Sequence, residues 1–173
     1  GVHDETSEAA AIPKIRKLAK EFEKQGVDGV IISCCGDPGL ELVREDLSIP
    51  VVGAGESTAL MSLRYGEKIY SLGITETAPK NYKKVLKERL IDNAIPEGVY
   101  STLDLQDVQG WNSVCEKAKQ LKENGAEVIA LACTGMATMG IAPKLEEVIG
   151  ISVLDPVMCE GLVMYMELLR KNS

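Results

Sequence analysis

The stretch "GVDGVIISCCG", Gly26–Gly36, superposes without a gap on "GAEVIALACTG", Gly125–Gly135, at an offset of 99 residues. Gly26 falls on Gly125, Cys34 on Cys133 and Gly36 on Gly135. Each copy follows a charged amphipathic segment, runs through apolar and β-branched residues, and ends in a cysteine and a glycine-containing turn. That is the pattern of a helix feeding a buried strand, and its repetition reads as a duplicated βαβ unit. A second short apolar run follows each copy, "IPVVGAGE" at Ile49–Glu56 and "ISVLDPVM" at Ile151–Met158.

The rest of the chain keeps this rhythm. Helices are expected at Glu8–Gln25, Gly39–Asp46, Ser57–Tyr65, Lys80–Asn93, Trp111–Asn124, Ala142–Val148 and Pro156–Arg170. Strands are expected at Gly29–Ser33, Pro50–Val52, Lys68–Gly73, Gly98–Ser101, Glu127–Ala132 and Ser152–Leu154. Alternation of this kind predicts an α/β fold: two pseudo-symmetric lobes with mainly parallel sheets flanked by helices, and an active site in the cleft between them. Residues 1–75 and 150–173 are assigned to the first lobe and 76–149 to the second. In parallel sheets ligands gather at the carboxyl ends of strands, where Cys34 and Cys133 both lie.

Composition narrows the function classes. The 173 residues include 19 basic and 26 acidic side chains, a formal charge of −7, and no run of Lys and Arg that could follow a phosphate backbone, so no nucleic-acid partner is expected. Apolar runs such as Val128–Cys133 are far shorter than the roughly 20 residues of a membrane-spanning helix, so no membrane partner is expected either. Five cysteines, an odd number, argue against a secreted disulfide framework and for a reducing, cytoplasmic location. The chain opens at Gly1, and an N-terminal portion is expected to be missing.

Two thiols on opposite walls of one cleft suit a reaction that treats both faces of a carbon alike. A thiolate takes the proton from one face and a thiol returns one to the other, inverting the stereocentre. An unperturbed cysteine titrates at about 8.5, and helix N-termini or positive neighbours lower that value. Turns such as "CCGDPG" and "CTGM" offer backbone N–H groups at a helix start, where a substrate carboxylate or developing enolate would be held. The competing reading for any single cysteine is packing, since cysteine is among the most buried residues. Matched placement favours chemistry for Cys34 and Cys133. Cys115 and Cys159 keep the packing reading, and strand alternation points Cys35 to the other face. No CxxC spacing occurs and the single histidine is His3, so no metal is expected. "GAGEST", Gly53–Thr58, lacks the lysine and spacing of a phosphate loop.

The cysteine motifs resemble those of the aspartate/glutamate/hydantoin racemase superfamily. "CCGDPGL" followed by "IPVVGAGES" is similar to the hydantoin racemase signature, "ALACTGM" to its second motif and "VLDPV" to its third. The resemblance implies a cofactor-independent racemase or epimerase that acts on a small molecule, a 5-substituted hydantoin or a related amino-acid derivative, and works as a homo-oligomer. It makes Cys34 and Cys133 the acid/base pair. Gly36, Asp37, Thr134 and Gly135 become substrate contacts, and "GITET" adds Thr75 by a weaker match, with a capping hydroxyl as the alternative. Asp155 and Glu56 are read either as contacts or as first-turn helix acids. Two departures stand out: the family's first strand is absent, and Cys35 occupies a position usually aromatic. A maleate-type isomerase, an arylmalonate-type decarboxylase and a non-catalytic ligand-binding protein remain alternatives.

Overall fold

A computed structural model describes residues 5–171. His3 lies outside the described residues. The chain runs α1 (Glu5–Lys24), β1 (Val30–Ile32), α2 (Leu40–Asp46), β2 (Val51–Gly53), α3 (Ala54–Ser62), β3 (Ile69–Leu72), α4 (Lys80–Leu86) and β4 (Leu90–Ala94). It continues with α5 (Val108–Glu123), β5 (Val128–Leu131), α6 (Thr134–Thr138), α7 (Ile141–Ile149), β6 (Ser152–Leu154) and α8 (Pro156–Lys171). Short 3-10 turns occur at Lys87–Arg89 and Asp104–Gln106.

Every strand pair is parallel. β1 pairs with β2, and a second sheet has the order β4-β3-β5-β6. The duplication is visible in the pairing: Val30 meets Val51 in one copy and Ile129 meets Val153 in the other. β5 is buried along its whole length, as a strand covered by helices on both faces must be. Its residues divide between two apolar cores, with Ile129 and Leu131 in one and Val128 and Ala130 in the other, as period-two alternation requires. A third, smaller core under β1 and β2 gathers Val30, Ile32, Leu40, Val43 and Val51.

Main-chain pairing places β3 and β6 beside β5. Residues 69–72 and 152–154, assigned to the first lobe from the sequence, therefore sit in the larger sheet. The helix expected at Lys80–Asn93 stops at Leu86, because Leu90–Ala94 adds to β3 as an edge strand. The strand expected at Gly98–Ser101 is a turn instead, in which the Asp104 carboxylate accepts from the backbone N–H groups of Tyr100 (2.9 Å) and Ser101 (2.7 Å).

Two glycines of "GAGE" let the first cysteine turn lie against the start of α3. A Cβ on Gly53 would fall 2.3 Å from Asp37 Oδ1, and one on Gly55 would fall 2.1 Å from the Cys35 carbonyl oxygen. No other residue type fits this approach. On the far side α1 is tied to α2 by Asp46, whose carboxylate meets Arg16 at 2.6 Å and Lys20 at 2.9 Å. Among the described residues no helix is long and apolar enough to cross a membrane.

Candidate active site

The first thiol stands where β1 ends. Cys34 donates its N–H to Ile32 (2.9 Å) and accepts from the Asp37 N–H (2.9 Å), closing a tight turn. Burial pushes the Cys34 thiol above its ordinary value, the Gly36 N–H pulls it down, and Asp37, Cys133 and Glu8 push it up again.

The second thiol, Cys133, occupies the N-cap position of α6 in extended backbone. A Cβ on Gly135 would be 3.5 Å from its sulfur, and one on Gly36 would be 3.7 Å from the sulfur of Cys34. Both glycines thus lie directly against the thiols they follow. Thr134 closes the arrangement by donating its hydroxyl to the carbonyl of Ser33 at 3.4 Å, a link from the second turn to the first. The fold therefore brings Cys34, Gly36, Cys133, Thr134 and Gly135 to one place.

Other expected site residues are differently employed. Asp37 is 5% exposed, with φ at 49°, and uses both carboxylate oxygens on its own fold. Oδ1 accepts from Gly55 N–H (2.9 Å), while Oδ2 accepts from Glu56 N–H (2.7 Å) and Asn81 Nδ2 (2.6 Å). Burial raises its pKa against the pull of these three donors. Asp37 braces the cysteine turn on α3 and α4 rather than presenting free oxygens to a ligand. Asp155 caps α8, its Oδ1 accepting from the N–H groups of Val157 (2.8 Å) and Met158 (3.0 Å). Glu56 takes the Arg44 guanidinium on both oxygens, at 3.2 and 2.5 Å. Thr75 donates to the Thr77 carbonyl (3.0 Å) in the turn after β3. Cys35 is 3% exposed and aims its thiol at the Leu131 carbonyl (3.8 Å), which also accepts from Tyr82 (2.6 Å). Its reading as packing agrees with this placement. Among the described residues no three His, Cys, Asp or Glu side chains gather as metal ligands.

The sequence profile described as Asp/Glu/Hydantoin racemase matches residues 1–160. The chain belongs to this racemase family. Hydantoin racemases from Pseudomonas sp. (strain NS671) and Paenarthrobacter aurescens are each 30% identical, over 162 and 149 residues, or 87% and 83% of this chain. The chain spans 62% of the length of each of these two relatives. The allantoin racemase from Klebsiella pneumoniae superposes with a TM-score of 0.81 at 25% identity, over 96% of this chain and 69% of the other.

Three residues beside this racemase-family site escape the sequence reading. Ser33 hydrogen-bonds Glu160 and Thr134 through different atoms. Thr102 sits over Gly135, its Cγ2 2.3 Å from where a Cβ would be. Glu160 carries a signal that was available: it is the one charged residue between Pro156 and Met166, the largely apolar first part of α8.

Proposed function

We propose that this racemase-family chain inverts a stereocentre next to a carbonyl in a 5-substituted hydantoin or a related amino-acid derivative, with Cys34 and Cys133 as the acid/base pair. One observation carries the reading: two thiols, each at the end of a duplicated strand, are tied together by the hydrogen bond from Thr134 to the Ser33 carbonyl. The names of the relatives favour a hydantoin ring; allantoin is itself a 5-ureidohydantoin.

One thiolate removes the proton from the ring carbon, and the bonding pair moves into the adjacent carbonyl as an enolate. The opposite thiol then protonates the other face of that carbon. One sulfur ends protonated and the other ionised, so the pair is set for the opposite enantiomer, and no cofactor enters the sequence of steps. Backbone N–H groups around Gly36 and Thr134–Gly135 are the donors for the developing negative charge. The Gly36 N–H already favours the thiolate of Cys34.

The test is deuterium incorporation in heavy water with a panel of hydantoins, allantoin, aspartate and glutamate. The parent protein exchanges and racemises its substrate. Cys34→Ala and Cys133→Ala each lose racemisation by roughly 100- to 10,000-fold, the usual worth of a positioned acid or base. Full racemisation by either variant would eliminate the two-thiol mechanism.

A further inference from the structure

Ser33 is the junction of the site. Its side chain donates to Glu160 Oε1 at 2.7 Å, and its main chain accepts from Thr134 at 3.4 Å. Cys34 follows it directly, so a single residue joins α8, the first thiol and the turn that carries the second.

Glu160 is an unusual occupant of its position. It is 4% exposed, and Oε2 has no hydrogen-bond partner among the described residues. A buried carboxyl with an unmatched oxygen is costly, and a leucine or methionine would fill the space as well. Burial raises its pKa, Asp37 and Asp155 reinforce that, and the Ser33 hydroxyl opposes it. What the carboxyl accomplishes that an apolar side chain would not is the orientation of Ser33.

We infer that Glu160 is a positioning residue for Cys34, acting through the Ser33 hydroxyl. The inference rests on the two-thiol reading. With Ser33 held, the Cys34 sulfur stays where the Gly36 N–H favours its thiolate. With Ser33 released, that donor is lost to the sulfur and the reactive thiolate fraction falls.

The experiment compares Ser33→Ala, Glu160→Leu and Glu160→Gln, each taken forward with the parental far-ultraviolet circular dichroism. Iodoacetamide labelling of the native protein is followed by peptide mass spectrometry, and the Cys34 rate is expressed relative to that of Cys133. Ser33→Ala and Glu160→Leu are expected to lower this ratio at least fivefold. In turnover they are expected to lower kcat with KM within twofold. Glu160→Gln keeps an acceptor for Ser33 and is expected to stay within twofold of the parent in both assays.

An unchanged ratio in folded Ser33→Ala overturns the inference, and that variant decides alone if Glu160→Leu does not fold. A Gln variant as impaired as Leu also overturns it, because the hydrogen bond would then not be the cause. Labelling needs no substrate, so the two readings fail separately. An unchanged ratio in a protein that racemises sinks the positioning role alone. A lowered ratio in a protein that exchanges no compound supports the positioning role and sinks the racemase reading.

Discussion

Gly55→Ala tests whether the cysteine turn truly depends on its approach to α3. Gly55 is the second residue of that helix, where alanine would ordinarily stabilise by up to about 1 kcal/mol. Here the new Cβ meets the Cys35 carbonyl oxygen at 2.1 Å and Asp37 Oδ2 at 2.7 Å. Roughly 1 Å or more of main-chain separation must open before the contact becomes ordinary. Overpacking of this kind costs about 1–3 kcal/mol, and the bond from the Gly55 N–H to Asp37 Oδ1 is lost at about 1–3 kcal/mol more. After the alanine gain, the net loss is roughly 1–5 kcal/mol, or a fall in Tm of roughly 2–20 °C for a chain this size. Thermal unfolding followed by circular dichroism reads it directly. Gly161→Ala in α8 is the control, since nothing lies within 4 Å of its Cβ and it should raise stability by about 0.5–1 kcal/mol. If Gly55→Ala unfolds at or above the parental temperature while the control behaves, the close approach does not exist in solution.

Asp46 is held well below the ordinary aspartate range by Arg16 and Lys20, so its contribution is present above about pH 4 and is lost as pH falls towards the depressed value. Asp46→Asn is therefore expected to lower Tm at neutral pH and to flatten the acid limb of the Tm–pH curve; parallel acid limbs in the two proteins would contradict this. Burial pushes the Cys159 thiol up to about 11 and that of Cys35 upward as well. At neutral pH, iodoacetamide is expected to modify Cys34 and Cys133 before Cys35 and Cys159, which should react only on unfolding; early labelling of Cys159 would place it wrongly in the core.

Local pattern carried much of this architecture. β6 has its expected limits at Ser152–Leu154, and β1, β3 and β5 lie inside the expected runs, because a covered parallel strand must be continuously apolar; β2 is displaced by one residue to Val51–Gly53. The failures are long-range. "RLIDNA" prolongs the Lys- and Glu-rich periodicity of α4, and only the free edge of β3 makes it a strand. "GVYS" has strand-forming residues but no partner to pair with. The duplicated cysteines were legible for the same reason as the strands. Asp37 was not, because whether a carboxylate meets a ligand or a helix N-terminus depends on the spacing of two distant glycines, Gly53 and Gly55. Glu160 became interpretable only when Ser33, 127 residues earlier, was found against it.

The bonds between the two cysteine turns are reciprocal. Thr134, from the second copy, donates to a carbonyl of the first, and Cys35, from the first, donates to the carbonyl of Leu131 in the second. Each half thus grips the main chain of the other through one side chain, so the two cysteine turns are tied to each other's backbone in both directions. Thr102, which lies against Gly135, takes part in neither bond. On the two-thiol reading proposed above, a change at Thr102 would then leave the tie between the two cysteine turns in place.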